Sequence, residues 1–492
     1  MGQVQISKDG QPVILPWEEV TGQQLKEMTG IAPDRLVTVA EGGQTRAVGD
    51  GERVTLAPGA FVSDAPRFRY GAPGPEEAPD RVEVVLSEGD HARLTAHLLR
   101  EDDPREQHAF LFAGLCESPR GARLLVRDLV PARPEDFLNQ TPSYIELAPP
   151  YCLAATDRCR AEGLHLIECH SHPFASRGVA FSPLDVENER EKFAWYAEKW
   201  PWMRPATLVF GWDSVDGHRY DPARQAILPL TGLRVVGPHL RRRPATGAVT
   251  FEDSATPGPA FHRQELAFGA AGQARLRGTR VGLVGCGGLG SVLCEQLAYL
   301  GVRDFVLVDP DRVEETNLNR LVFALPEDAR SARPKVEVMA RGIAAVRPDA
   351  DVETVCGSVA DRAVQARLKD VDLLIAGADC DGARLVCAEL AARYLLPYLD
   401  TGTGVAVSDG AVGEAVKLVT GLARPQALVL YDALGPSVRA LVPPAPDPDC
   451  PVCSREALYA RGDEADALAF ARPAPTAVIA DPTPASEPAL AG

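Results

Sequence analysis

The chain has no excess of basic residues. Its 51 Lys and Arg stand against 68 Asp and Glu, a formal net charge of −17 over 492 residues. A surface of that sign repels a phosphate backbone, which excludes a general nucleic-acid binder. No apolar run approaches the ~20 residues that span a bilayer, so no membrane partner is expected. The opening MGQVQISKDGQPVILPW lacks a cationic start leading into an apolar stretch, and no secretory leader is expected. Internal repeats are absent. The cysteines number eleven, an odd count scattered through strand-like and helix-like segments. That argues against a disulfide framework and for reduced thiols in the cytoplasm. What is present, 45% hydrophobic and 24% charged residues, is the balance of a soluble globular protein. The length exceeds one ordinary core and predicts about three domains.

Two Pro/Gly-rich stretches without apolar periodicity, 71–80 and 238–260, read as linkers, and the Ala/Pro-rich 472–492 reads as disordered. The expected division is 1–71, a linker at 72–80, then 81–237, a linker at 238–260, then 261–454 and a tail at 455–492. In the first segment VQISKDG and QPVILP form a hairpin turning at Asp9-Gly10. Thr21 caps a short helix that Gly30 ends, and LVTVAEGG, TRAV, RVTLAPG and a closing RFRYG supply further strands. Hairpin, helix, then strands is the order of a β-grasp. The wording TGQQLKEMTGIAPDRLVTVAEGG resembles the bacterial multiubiquitin family over about 60 residues. Gly71 would then stand where such proteins end, except that Ala72 follows it. The segment is either a fixed docking domain or a modifier released by cleavage.

In the middle segment the string Glu168-Cys169-His170-Ser171-His172-Pro173 is followed by Ser182-Pro183-Leu184-Asp185. LHLIE reads as a strand, so His170 and His172, at i and i+2, project from one face. Asp185, opening a long helix, can add a carboxylate oxygen. Two imidazoles and one carboxylate with a fourth position left for water make a catalytic zinc set. A base must take the water's proton. Glu106, just before the apolar stretch 107–115, is chosen, with Glu117 and Glu168 as alternatives. Ser182 would donate to the oxyanion. This constellation resembles the JAMM (JAB/MPN+) metalloisopeptidases, which cleave after the C-terminal glycine of ubiquitin-like proteins. The resemblance implies Glu106 as acid/base, His170, His172 and Asp185 as Zn²⁺ ligands and Ser182 as oxyanion donor. Nine residues, 173–181, separate His172 from Ser182, longer than the family's usual gap.

Residues 280–285, RVGLVG, are a continuous apolar run of the kind buried in a parallel sheet. Gly285-Cys286-Gly287-Gly288-Leu289-Gly290 opens a helix, and the next strand, DFVLVD, ends at Asp309. The unit is a phosphate-binding βαβ with an acid placed for ribose, and by itself it fits NAD as well as ATP. Downstream, Asn317, Arg320, Lys335 and Asp379 supply charge that a hydride site does not need and an adenylyl transfer does. The segment 262–453 resembles the ThiF/MoeB adenylyltransferases related to ubiquitin-activating enzymes. The resemblance implies that Gly285, Gly287, Gly288 and Gly290 cradle ATP and that Asp309 binds ribose. It further implies that Asn317, Arg320 and Lys335 contact phosphates and that Asp379 binds Mg²⁺. His262-Arg263-Gln264 matches the entry motif whose Arg reaches the partner subunit's nucleotide, implying a homodimer. Arg384 matches a further family arginine. Only one Cys-x-x-Cys pair, Cys450 and Cys453, is present, and it is either half of a structural zinc site or two plain thiols. The crossover loop is short and lacks a thioester cysteine, and Cys380 and Cys387 read as core thiols.

The expected fold class is multidomain α/β: a β-grasp, a JAB/MPN metalloprotease domain and a Rossmann-like adenylation domain. Together they resemble the JAB–adenylyltransferase fusions of bacterial ubiquitin-like conjugation operons, some linked to phage defence. The implied partner is a ubiquitin-like protein, with a conjugating-type enzyme as a further one. Activation of a sulfur carrier and an assembly scaffold are the alternatives.

Overall fold

The computed structural model describes the chain apart from residues 1–3, 9–10, 18, 32–35, 42–43, 49–50, 66–80, 222–223, 247–258, 402–414, 422–427, 433–436, 442–446, 451, 453, 456 and 464–492. It divides into two compact units, Met1–Pro79 and Asp80–Gly492.

In the first unit the hairpin Val4–Lys8 and Gln11–Leu15 forms as its alternation dictates. Thr21 and Gln24 cap the helix Gly22–Thr29 reciprocally, side chain to backbone, and Gly30 ends it in the left-handed region at φ 69°. The sheet runs Gln11–Leu15, Val4–Lys8, Phe61–Ala65, Leu36–Glu41, Gln44–Val48, with only the Val4–Lys8 and Phe61–Ala65 pair parallel. Val4, Ile6, Leu25, Val37, Val39 and Val62 are buried between helix and sheet. The last described strand is Phe61–Ala65, and the RFRYG segment with Gly71 lies outside the described residues.

The second unit holds two large sheets. One has nine strands, ordered Ala226–Pro229, Val215–Asp221, Ala206–Phe210, His165–Ser171, His108–Ser118, Gly121–Pro131, Val82–Ser87, Gly232–Val236, Arg241–Pro244. The other has five parallel strands ordered Asp351–Val355, Asp304–Val308, Arg280–Val284, Leu373–Ala376, Tyr398–Asp400. Numbered along the chain this is 3-2-1-4-5, the doubly wound order of Rossmann-like folds. Its switch point lies between Arg280–Val284 and Leu373–Ala376. Both central strands are wholly buried, which is why they read as unbroken apolar runs.

One hydrophobic cluster joins the sheets, packing Val85, Cys116 and Leu125 of the first against Val306, Leu374 and Leu390 of the second unit's other half. Beside it lies a buried ionic knot. Arg234 donates to Glu83 at 2.9 Å and to Asp372 at 2.5 Å, and Asp372 also takes Arg242 at 2.7 Å and the Arg280 N–H at 2.9 Å.

Two expected boundaries are corrected here. Arg241–Pro244, read as part of the linker 238–260, is an edge strand of the nine-stranded sheet. Its arginines carry no apolar periodicity, and acids supply the complement: Glu88 takes Arg241 and Asp372 takes Arg242. The start of the expected tail 455–492 packs down. Arg455 pairs with Asp90, and Gly462 at φ 62° bridges Leu115. Gly114 permits the approach, since a Cβ there would lie 2.4 Å from the Ala460 carbonyl oxygen.

Candidate functional site

The glycine turn links Arg280–Val284 to the helix Gly288–Leu300 at the switch point. Two of its glycines, Gly285 and Gly290, are demanded by the fold, and Gly288 is crowded by a side chain. Gly285 has φ 96°, and a Cβ on it would sit 2.7 Å from the Ala378 N. A Cβ on Gly290 would lie 1.9 Å from the Gly285 carbonyl oxygen, and one on Gly288 would press on the Arg320 side chain at 3.3 Å. Gly287, the helix N-cap, differs: its φ is −77° and a Cβ would meet no atom within 4 Å. The turn thus leaves the first N–H groups of a 13-residue helix beside one glycine that packing does not require.

The charged groups gather on this turn. Asp309 accepts the Cys286 N–H at 2.6 Å on one oxygen and the Asp311 N–H at 2.8 Å on the other. Burial raises its carboxyl, and Lys335 is among the groups that oppose the rise. The Lys335 ammonium pairs with Asp311 at 2.7 Å. Arg320 lies along Gly288 with its guanidinium on the Thr316 carbonyl, and Asn317 caps a short turn through the Glu314 N–H at 3.0 Å. Asp379, exposed and without a partner among the described residues, follows the Ala378 that abuts Gly285. Arg384 is taken by Asp400 and Asp381. Cys387 is buried, with its thiol pushed up to about 12 by that burial, as a core thiol should be. Cys380 is exposed at the N-cap of Asp381–Tyr394, which corrects its reading as a core thiol, because the helix begins at the sheet's rim.

The second cluster lies at the end of the nine-stranded sheet. His170 pairs with His108 across the sheet, and the Ser171 hydroxyl accepts the Gln107 N–H at 2.9 Å, pinning Glu106 beside the histidines. His170 and His172 place Nε2 3.6 and 3.5 Å from Asp185 Oδ2, and Glu106 Oε1 lies 3.7 Å from His172 Nε2. His170 Nε2 is buried with no hydrogen-bond partner among the described residues. Ligands held at 2.0–2.1 Å on tetrahedral corners lie roughly 3.3 Å apart, so the donor set fits a zinc-sized ion. His170, His172 and Asp185 are the metal-competent group found among the described residues. Burial pushes the Glu106 carboxyl up to about 7, with Asp185 adding to the rise and His172 opposing it. Asp185 is also raised by burial, but the adjacent imidazoles of His170 and His172 outweigh this and hold it well below its ordinary value. Ser182 is the helix N-cap. Its oxygen accepts the Asp185 N–H at 3.2 Å, which leaves its proton to donate.

The alternative bases fall away on position. Glu168 is held by Lys192 and by the Tyr196 hydroxyl. Glu117 stands nine residues along the strand from His108, about 30 Å away. The residue pattern did not single out Glu189, one helical turn after Asp185, which bonds His218 at 2.8 Å, itself stacked on Phe181, and accepts from the Thr207 hydroxyl. The i, i+4 spacing of the two acids was the available signal.

Residues 261–412 match the model of the ThiF family. This segment is ThiF-like. The chain is 33% identical over 184 residues to a SAMP-activating enzyme E1 of Haloferax volcanii, covering 37% of this chain and 59% of that protein. It is 29% identical over 141 residues to a sulfur carrier protein ThiS adenylyltransferase of Bacillus subtilis, covering 28% and 42%. The chain thus spans less than two thirds of these relatives. The solved E. coli MccB with ATP aligns over 41% of this chain and 76% of its own, at 17% identity and TM-score 0.36.

The ThiF match includes Arg263, the four glycines, Asp309, Asn317, Arg320, Lys335 and Asp379. Arg263 lies exposed near the start of the helix His262–Arg277. The histidine cluster and Cys450 fall outside the ThiF segment, and Cys453 lies outside the described residues. No helix among the described residues is long and apolar enough to cross a membrane.

Proposed function

We propose that the ThiF domain adenylates the C-terminal glycine carboxylate of a ubiquitin-like protein, and that the histidine cluster of the same chain is a JAMM-type peptidase exposing such a terminus. The observation carrying this reading is the glycine turn of a ThiF-like segment, along which Arg320 packs at Gly288 and whose Cys286 N–H is held by Asp309, a carboxylate on which Lys335 acts. The substrate carboxylate oxygen attacks the α-phosphorus of ATP, the bond to the bridging oxygen of the β-phosphate breaks, and pyrophosphate leaves. The helix N-terminus and the two cations compensate the phosphate charge, with Gly287 as the approach. Asp379, a hard oxygen donor, would hold Mg²⁺. No cysteine lies between Cys387 and Cys450, so the crossover loop offers the adenylate no thiol, and the adenylate is the product or passes to a thiol elsewhere. That same absence supports the sulfur-carrier alternative, as does the name of the B. subtilis relative. Arg263 completes a second copy's site in a homodimer.

The test is ATP–pyrophosphate exchange by the full chain with glycine-ended ubiquitin-like proteins. Exchange should appear with one of them and fall at least 100-fold in Asp379→Ala. Absence of exchange with every such partner overturns the reading and favours the scaffold.

At the peptidase centre His170, His172 and Asp185 would hold zinc, which supplies Lewis acidity and a bound water of lowered pKa. Glu106 takes and returns the proton, and Ser182 donates to the oxyanion. Residues 1–71 serve as a β-grasp ubiquitin-like domain. Glu106→Gln should lower cleavage of a ubiquitin-like fusion by about 10²–10⁴ while zinc content, read by metal analysis, stays at wild-type level. Cleavage retained in that variant rules Glu106 out as the base.

A further inference from the structure

A cavity of about 500 Å³ opens between the two halves of the second unit, remote from both centres. One wall is built by Gly232–Val236 and Arg241–Pro244 with Arg81, the other by Ala274, Arg275, Gly278, Thr279 and Val419. Thr279 stands just before the strand Arg280–Val284, whose opposite end carries the glycine turn, about 16 Å away. In the other sheet Val82 pairs with Ala122, and Ala122 with Glu117, the end of the strand farthest from His108 and the histidine cluster.

Five arginines line this space against one carboxylate, Glu83. Glu83 is already held by Arg234 and Arg81, while Arg241 has Glu88 and Arg242 has Asp372. Arg243 and Arg275 have no acid among the described residues. Arg243 donates to His91 Nε2 at 3.3 Å, and Arg275 to the Thr420 carbonyl at 2.5 Å. Burial and then the fields of Arg243 and Arg241 push the His91 imidazole down to about 4, so it is neutral near pH 7 and adds no countercharge problem. Leu233, Val235, Leu240 and Val419 supply apolar wall. Two unmatched guanidiniums suit the bidentate recognition of phosphate, and the volume lies in the range of small-ligand sites.

We propose that this cavity binds a mononucleotide-sized organic phosphate, with the phosphate on Arg243 and Arg275 and the organic body against Leu233, Leu240 and Val419. The site is separate from the glycine turn and stands whether or not the adenylation reading does.

Calorimetric titration of the full chain with AMP, GMP, UMP and CMP, and with inorganic phosphate, tests it. At least one nucleotide should show a saturable equivalent that persists in Gly287→Ala. Its affinity should fall tenfold or more in Arg243→Gln and further in Arg243→Gln/Arg275→Gln, and it should weaken as salt rises. Thermal unfolding without ligand checks each variant's fold. If the double variant is unfolded, photolabelling of the wild type with an azido nucleotide decides, with labels expected in 231–245 or 274–279. No equivalent in Gly287→Ala, an unchanged affinity in Arg243→Gln, or labels elsewhere overturns the proposal. Inorganic phosphate binding as tightly as every nucleotide overturns the organic body's part in it.

Discussion

A Gly290→Ala chain is expected to lose its nucleotide turn, whereas a Gly287→Ala chain is expected to keep it and bind ATP more weakly. The contrast follows from what each new methyl meets. At Gly290 the Cβ would fall 1.9 Å from the Gly285 carbonyl oxygen, a backbone atom that no rotamer change can move. The helix Gly288–Leu300 would have to lift off the turn, breaking contacts made by Leu293 and Leu297 in the core. The cost should reach or exceed the top of the about 1–3 kcal/mol range of overpacking, read as an earlier denaturation midpoint. At Gly287 the backbone is already in a region open to alanine, and nothing stands within 4 Å. Losing the N-cap preference of glycine over alanine should cost at most about 1 kcal/mol. The methyl nevertheless covers the helix N-terminus, where a phosphate must come close. The KM for ATP in pyrophosphate exchange should therefore rise tenfold or more with little change in the unfolding midpoint. A Gly287→Ala enzyme with unchanged exchange kinetics would show that no phosphate approaches there.

The same contrast shows what the sequence made readable. Arg280–Val284 is covered on both faces, so its apolar run and the glycines after it announced a parallel strand entering a helix. His170 and His172 were legible through strand parity, and Thr21 and Gly30 through capping chemistry. All of these are local rules. Asp309 shows where such rules end: its position was readable, but not that both its oxygens are engaged in bracing the turn. Arg241–Pro244 was hidden because an edge strand fixed by ion pairs has no hydrophobic period. The seating of Arg455 and Gly462 depends on partners more than 300 residues earlier, Asp90 for Arg455 and Leu115 for Gly462. Nothing local reveals that Val85 and Leu125 share a core with Val306 and Leu374.

That shared core makes Asp372 the residue whose removal should cost most. Arg234 is 1% exposed, and its guanidinium depends on Glu83 and Asp372. Asp372→Ala would leave Arg234, Arg123 and Arg242 short of a carboxylate and orphan the Arg280 N–H. Breaking a buried ion pair from one side costs about 3–5 kcal/mol, because the surviving charge stays desolvated. Denaturant unfolding of the full chain should show a loss of that size in the transition of the second unit. Asp372→Asn, which keeps an acceptor for Arg280, should cost less. The sign of the pH dependence follows from the same contacts. Burial raises Glu83 and Asp372, but the surrounding arginines, led by Arg234, outweigh it and hold both below their ordinary values. Their stabilisation is therefore complete above the unfolded carboxyl range, near 4, and is lost as pH falls below it through the folded values. The wild-type midpoint should drop on acidification from about pH 4.5 downward, and Asp372→Asn should flatten that drop. A midpoint equally acid-sensitive in both, or an Asp372→Ala chain as stable as wild type, would mean that the apolar cluster alone joins the two sheets and the ionic knot adds nothing.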